Sequence, residues 1–277
     1  MLRGTSCARK QHRLLLPMLA LLLLSAQAQQ ALADSNAFVS LSVSGGGSAN
    51  DFSTTSTPAS ATLSGVTGNA RSLLSAGAVG VGIELSPGSP YGFYDAGARW
   101  DDTWSGSGGI GTGVPVAAAM LLHGSITTSA LAFSDDFWEI TFRYSIGGND
   151  LLLFNASADS SSAEIHAYSN GVEIPVDLVV NATNSLLTDF SVAYTPIVSL
   201  SSAGFSDSME ASARVDGLEP FTLDAFNTFQ VDLTSLDPSV TFSGEGGRTM
   251  PSVPEPGTSA LLIAGLGLLG YASRRSE

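Results

Sequence analysis

The stretch FWEITFRYSIGGNDLLLFNAS, residues 137–157, sets the fold class of the chain. Trp138, Ile140, Phe142 and Tyr144 fall on one face of an extended backbone, while polar residues alternate with them on the other face. A period of two is typical of a half-buried β-strand. The Gly-Gly-Asn-Asp run at 147–150 predicts a turn into the apolar segment 151–157. The stretch therefore predicts a β-hairpin with one face on a hydrophobic core.

The same contrast between alternating strands and polar turns extends over residues 34–250. AFVSLSVS (37–44) and TFQVDL (228–233) alternate in the same way, and SGGGSANDFSTTSTPAS (44–60) is predicted to be a polar loop. Asn170-Gly171, between AEIHAYS and VEIPVDLVV, is a strong signal for a two-residue hairpin, and Pro175 favours an edge strand. Because amphipathic helical patterns are few, we expect an all-β fold, an antiparallel β-sandwich or jelly roll.

The first 33 residues have the pattern of a secretory signal peptide. Basic residues come first, Leu14 to Leu24 form an apolar run of 11 residues, and Ala31-Leu32-Ala33 is a small-residue cleavage site. Cleavage after Ala28 is the alternative. The segment is too short to span a bilayer of about 30 Å. We therefore expect an exported chain that begins near Asp34.

Composition excludes several kinds of chemistry from residues 34–250. They contain 23 acidic residues and 5 arginines, a net charge of −18, and no lysine or cysteine. This charge makes nucleic acid an improbable partner, whereas neutral glycans remain possible ligands. The sequence has no HExxH, GxSxG or P-loop motif and only His123 and His166 in this region. A glycosidase would need only two carboxylates, which spacing alone cannot reveal. We assign no catalytic residue and expect no enzyme and no cofactor.

The segment RWDDTWSGSGG, residues 99–109, is the tentative ligand-binding site. On a strand, Trp100, Asp102 and Trp104 would share one side and Asp101 would take the other. Exposed indoles could stack on sugar rings, and Asp101 or Asp102 could bind calcium. In the alternative, which the sequence favours, both indoles face the core and the aspartates cap the adjoining Gly-rich turn.

The pattern of the C-terminal residues 251–277 predicts a membrane-spanning and sorting segment. Residues 258–273 carry no charge, and as a helix they would span about 24 Å, enough for a short transmembrane helix if Arg274 and Arg275 reach the headgroups. The two arginines favour a cytoplasmic C-terminus. Pro254 and Pro256 hold Glu255 in extended backbone outside the helix. The glycines of GLGLLG fit a membrane helix better than a dinucleotide site, because too few residues follow them.

This arrangement resembles the PEP-CTERM sorting signal, which combines a Pro-Glu-Pro box (Pro254, Glu255, Pro256), an apolar span and a basic end (Arg274, Arg275). The resemblance implies a Gram-negative bacterium that produces exopolysaccharide, and an exosortase in the inner membrane that recognises the tail. It also implies transient anchoring in that membrane and a final location at the cell surface or in the extracellular matrix. It covers the tail and not the ectodomain.

These observations together predict a non-enzymatic surface or matrix protein with a structural, exopolysaccharide-associated role, as in a biofilm. A carbohydrate-binding module, with or without calcium, is the second hypothesis, and a glycoside-active enzyme is the third. An exposed Trp pair would favour binding, and a cleft with two converging carboxylates would favour catalysis.

Overall fold

The part of the chain between the two end segments is built from β-strands. The structure, a computed structural model, describes residues 34–44, 47–55, 57–108, 113–128, 137–158, 163–182, 186–217 and 220–251. The predicted signal peptide (1–33) and the predicted sorting tail from residue 252 onward lie outside the described residues. None of the helical structure in the described ranges has the length and hydropathy of a membrane span.

The strands within these ranges are Asp34–Val43 (β1), Gly47–Ser53 (β2), Ala59–Leu63 (β3), Val66–Leu73 (β4), Ala78–Leu85 (β5), Gly92–Ser107 (β6), Val114–Thr128 (β7), Phe137–Ile146 (β8), Asn149–Ala158 (β9), Ala163–Ser169 (β10), Val172–Ile174 (β11), Asp177–Ala182 (β12), Leu186–Tyr194 (β13), Ile197–Leu200 (β14), Gly204–Gly217 (β15), Phe221–Ser235 (β16), Thr241–Gly244 (β17) and Thr249–Met250 (β18). A 3-10 turn, Leu74–Ala76, separates β4 from β5.

The strands form two antiparallel sheets. Sheet A has the order β11-β10-β9-β8-β15-β6-β1-β2, and the β17–β18 hairpin joins it through β6. Sheet B has the order β12-β13-β7-β16-β5-β4-β3, and β14 also pairs with β7. The prediction of an all-β fold with antiparallel sheets is confirmed.

One hydrophobic core lies between the two sheets. The rings of Phe142 on β8 and Phe229 on β16 meet edge to face, with centroids 5.7 Å apart. Phe154 on β9 stacks on Phe190 on β13 at 4.9 Å. The alternating residues of β8 that pointed to a core are all buried. The two inner faces therefore pack against each other as the layers of a sandwich.

The two glycine-containing turns that the sequence predicted are both hairpin turns. Asn170 and Gly171 have φ of 49° and 76°, and Gly147 and Gly148 have φ of 57° and 81°. Positive φ at both central residues matches the right-handed twist of the flanking strands. Each turn therefore connects its two strands as expected.

Two details of the strand prediction were wrong. The segment 44–60 contains β2, whose polar residues suit the exposed edge of sheet A beside β1. The stretch VEIPVDLVV lies at sheet edges, as Pro175 predicted, but it forms two edge strands and not one, because β11 ends in sheet A at Ile174 and β12 begins in sheet B at Asp177. Pro175 lies in the crossover between the sheets.

Candidate functional site

The segment of residues 100–104 lies within β6, in the interior of sheet A. Trp100, Asp102 and Trp104 point into the sandwich and Asp101 lies on the outer face, as the alternation predicted. The exposed fraction is 0% for Trp100 and 2% for Trp104. Stacking on a sugar requires an open ring face, so these indoles do not offer the predicted platform. Their position fits the alternative in which both are core residues.

The two aspartates of this segment already have protein partners. Asp101 accepts two hydrogen bonds from Arg99, from Nε at 2.8 Å and from Nη2 at 2.9 Å. Asp102 Oδ1 accepts the backbone N–H groups of Thr103 and Gly246, each at 2.9 Å. Asp102 therefore caps the turn after β17. The two carboxylates lie on opposite faces of β6, so they cannot bind one calcium ion together.

The described residues also lack a metal-binding cluster elsewhere. Within the ranges that the structure describes, no group of three or more His, Cys, Asp or Glu side chains is placed to hold a metal ion. Calcium binding at Asp101 or Asp102 thus stays a prediction without a ligand set in the described part of the chain.

Trp100 and Trp104 belong to a buried polar cluster around Arg248, which we call the Arg248 cluster (Trp100, Trp104, Tyr144, Asp207 and Arg248). The guanidinium carbon of Arg248 lies 4.6 Å from the ring centroid of Trp100 and 5.0 Å from that of Trp104. Its Nη1 donates to Asp207 Oδ2 at 3.1 Å. Asp207 also accepts from Trp104 Nε1 at 2.9 Å and from the Tyr144 hydroxyl at 3.0 Å. The cation is therefore held by a carboxylate and by two aromatic faces.

Burial governs the protonation of this cluster. Burial raises the pKa of Asp207 from the ordinary 3.8 to about 6, although the charge of Arg248 and the bonds from Trp104 and Tyr144 oppose the shift. Burial and the nearby carboxylate also raise the pKa of Tyr144. An adjacent cavity of about 330 Å³ is lined by Trp104 and Arg248, among others, and by neither Asp102 nor Asp207. The cluster thus does not present two carboxylates to a cleft.

The outer face of sheet A carries a second polar arrangement, which sequence reasoning missed. Three adjacent strands each have an acid, a small residue and an arginine at every second position, namely Asp95-Gly97-Arg99 on β6, Glu210-Ser212-Arg214 on β15 and Glu139-Thr141-Arg143 on β8. Because the strands are antiparallel, the pattern reverses from one to the next. The register places the three small residues side by side in a central row.

The rows on either side of the small residues alternate in charge. One row is Asp95, Arg214 and Glu139, and the other is Arg99, Glu210 and Arg143. Most of these side chains, with Phe38 and Leu153 at the two ends, line a groove of about 600 Å³. We call it the sheet A groove. Its volume is within the range of ligand-binding sites.

Each arginine of the two rows is paired with an aspartate that lies outside them. Arg99 binds Asp101, Arg143 binds Asp150 at 2.9 Å (Nε) and 3.0 Å (Nη2), and Arg214 binds Asp216 at 3.2 Å (Nε) and 2.9 Å (Nη2). The bidentate bond from Arg143 lowers the pKa of Asp150. Burial raises the pKa of Asp95. The three arginines are therefore neutralised by aspartates outside the rows. The row carboxylates Asp95, Glu139 and Glu210 line the groove in excess of this pairing.

Comparison with known proteins identifies the tail and not the ectodomain. Residues 252–276 match the PEP-CTERM protein-sorting motif, which confirms the resemblance seen in the sequence. The motif implies an exported protein targeted to exosortase, with membrane-associated sorting in a Gram-negative bacterium. No curated protein and no solved structure matches the chain. The predicted motif residues Pro254, Glu255, Pro256, Arg274 and Arg275 lie outside the described residues.

Proposed function

We propose that this protein is a non-enzymatic component of the cell surface or extracellular matrix, with a structural, exopolysaccharide-associated role. The sorting motif at residues 252–276 carries the proposal. It directly follows Pro251, the last described residue, whose carbonyl accepts the backbone N–H of Ser235 at 3.0 Å. An ectodomain closed at this point is suited to transfer as a unit after the tail is recognised.

The state of the polar groups supports a binding or structural role over catalysis. Asp207 accepts hydrogen bonds from three donors, and Asp102, which accepts two backbone N–H groups at Oδ1, is only 1% exposed. General acid–base catalysis needs a carboxyl group within reach of substrate. The groove carboxylates are accessible, but those of the two rows alternate with guanidinium groups, an arrangement that suits binding.

The signal peptide and the membrane helix complete the proposal. Cleavage after Ala33 would leave the described part of β1, Asp34–Val43, whole. The uncharged span 258–273 would hold the chain in the inner membrane until exosortase recognises the Pro-Glu-Pro box. The protein would then reach the cell surface or the extracellular matrix.

Fractionation of tail variants tests this function. Deleting residues 254–277 should release the ectodomain from the membrane, because the apolar span is lost. Glu255→Ala should leave it anchored but unsorted, while the matched variant Glu277→Ala, outside the box, should sort like the wild type. Mass spectrometry of the exported protein should find an N-terminus near Asp34. Equal sorting of Glu255→Ala and wild type, or retention of Met1, would contradict the proposal.

A further inference from the structure

We propose that the sheet A groove binds a chain of neutral polysaccharide. This inference rests on the proposed function, since it names the ligand class and the surface through which the ectodomain would associate with exopolysaccharide. It also moves the binding surface from the buried indoles of Trp100 and Trp104 to the opposite face of the same strand.

The dimensions of the groove fit a linear polymer. The groove crosses β1, β6, β15, β8 and β9, and five strands at about 4.8 Å spacing extend over about 19 Å. The charged rows are four residues apart along each strand, or about 13 Å. The floor between them is made of Ser212 and Thr141, whose short side chains leave the central row low, and Gly97 continues this row beneath the ring of Phe38. An extended chain can therefore lie across the strands.

The charges select against an anionic ligand. Six carboxylates accompany three guanidinium groups on this face, namely Asp95, Asp101, Glu139, Asp150, Glu210 and Asp216 against Arg99, Arg143 and Arg214. A phosphate or uronate chain would meet a net negative surface. A hydroxyl group can both donate and accept, so a polyhydroxylated neutral chain can use the alternating carboxylates and guanidiniums together.

The arginines keep hydrogen-bonding capacity for such a ligand. Each bidentate pair uses two of the five N–H donors of a guanidinium. The pairing also fixes the planar group in place, so that less side-chain entropy is lost when a ligand binds. Glu210 lies in register between Arg99 and Arg143 and supplies an acceptor in the middle of its row.

An aromatic ring closes one end of the groove. Phe38 is 42% exposed, and its ring lies over Gly97, where a Cβ atom would come within 2.4 Å of it. Glycine at this position thus allows the ring to lie flat against the sheet beside the floor. An exposed aromatic ring next to polar groups gives a sugar ring an apolar contact and hydroxyl partners at once.

The test uses the full-length chain and the extracellular polysaccharide of the producing bacterium, separated by anion exchange into neutral and anionic fractions. Affinity electrophoresis should show retention by the neutral fraction and not by the anionic one. Thr141→Tyr, which fills the floor, and Phe38→Ala, which removes the aromatic contact, should each weaken retention by about ten-fold or more. Matched controls are Thr222→Tyr, on the outer face of sheet B, and Phe93→Ala, an exposed aromatic outside the groove lining; both should bind like the wild type.

Preferential retention by the anionic fraction, no retention by the neutral one, or equal behaviour of the groove variants and their controls would overturn the groove assignment. Trp emission identifies any variant that fails to fold. If Thr141→Tyr does not fold, Phe38→Ala, which alters an exposed side chain, decides whether the groove binds the polysaccharide. Fractionation of cells distinguishes a failure of the groove assignment from a failure of the proposed function. If wild type and groove variants all remain in the matrix and bind alike, only the groove is wrong; if the wild type is absent from the matrix, the proposed function itself fails.

Discussion

The buried ion pair between Asp207 and Arg248 provides the sharpest test of how this domain is held together. Asp207→Ala removes the acceptor of three hydrogen bonds at once, from Trp104, Tyr144 and Arg248. The side chain of Arg248 is only 7% exposed, so water cannot readily replace the lost carboxylate. A guanidinium does not lose its proton in a protein, and the charge therefore stays in the core without its counterion.

The expected cost follows from these contacts. Removing one partner of a buried ion pair destabilises a protein by about 3–5 kcal/mol. For a domain of this size, that loss lowers the melting temperature by roughly 6–20 °C. Arg248→Met should cost less than Asp207→Ala, because an apolar side chain can still pack between the two indoles and the remaining Asp207 can take up a proton. The double variant should recover part of the loss, since no buried charge is left.

Urea unfolding followed by Trp emission measures these differences, because Trp100 and Trp104 contact the altered groups. Asp101→Ala is the matched control, since it breaks an exposed pair with Arg99 on the other face of β6, worth at most about 1 kcal/mol. The reasoning is refuted if Asp207→Ala costs no more than Asp101→Ala, or if Arg248→Met is the more damaging of the two single changes in the cluster.

Two further predictions concern the same core. Burial raises the folded pKa of Asp207 to about 6, above the ordinary 3.8, so protonation of this carboxyl group stabilises the folded state. This contribution to the free energy of unfolding is complete below about pH 3.8 and is lost as the pH rises through about 6. An NMR titration of the carboxyl carbon should give this midpoint, and Arg248→Met should raise it; a midpoint near 4, or no change in the variant, would contradict the assignment. Trp100→Ala should cost about 3–5 kcal/mol through the cavity that it leaves, whereas Phe93→Ala, at an exposed position, should cost under about 1 kcal/mol; equal unfolding midpoints would place Trp100 outside the core.

The strands of this fold could be predicted where alternation and turn chemistry agreed. The periodic residues of β8 and the turns at 147–148 and 170–171 were predicted correctly because each signal is local. Strand β2 was missed because its residues are polar and it forms only through pairing with β1. The division of VEIPVDLVV between two sheets was missed for a related reason, since the change of sheet at Pro175 depends on partners elsewhere in the chain.

The candidate site shows the same limit more strongly. Alternation placed Trp100 and Trp104 on one side of β6 but could not say which side faces the core. The groove has a sequence signal, an acid, a small residue and an arginine at every second position on three strands, and this was overlooked. The three segments form one surface only through the strand register, which pairs β6 with β15 and β15 with β8. The paired groove residues of β6 and β15 are more than a hundred residues apart in sequence.

The position of Arg248 indicates what the buried cluster contributes to a sorted protein. Strand β18 has only two residues, Thr249–Met250, so its ladder with β17 cannot hold it firmly. Arg248, immediately before it, is fixed by Asp207 and the two indoles, and the carbonyl of Pro251, immediately after it, accepts the N–H of Ser235. The domain is thus secured on both sides of its last described strand, directly before the sorting motif begins at residue 252. Chain ends are where fraying and proteolysis concentrate, so a cation held in the core at this point protects the junction through which the ectodomain is attached to its tail.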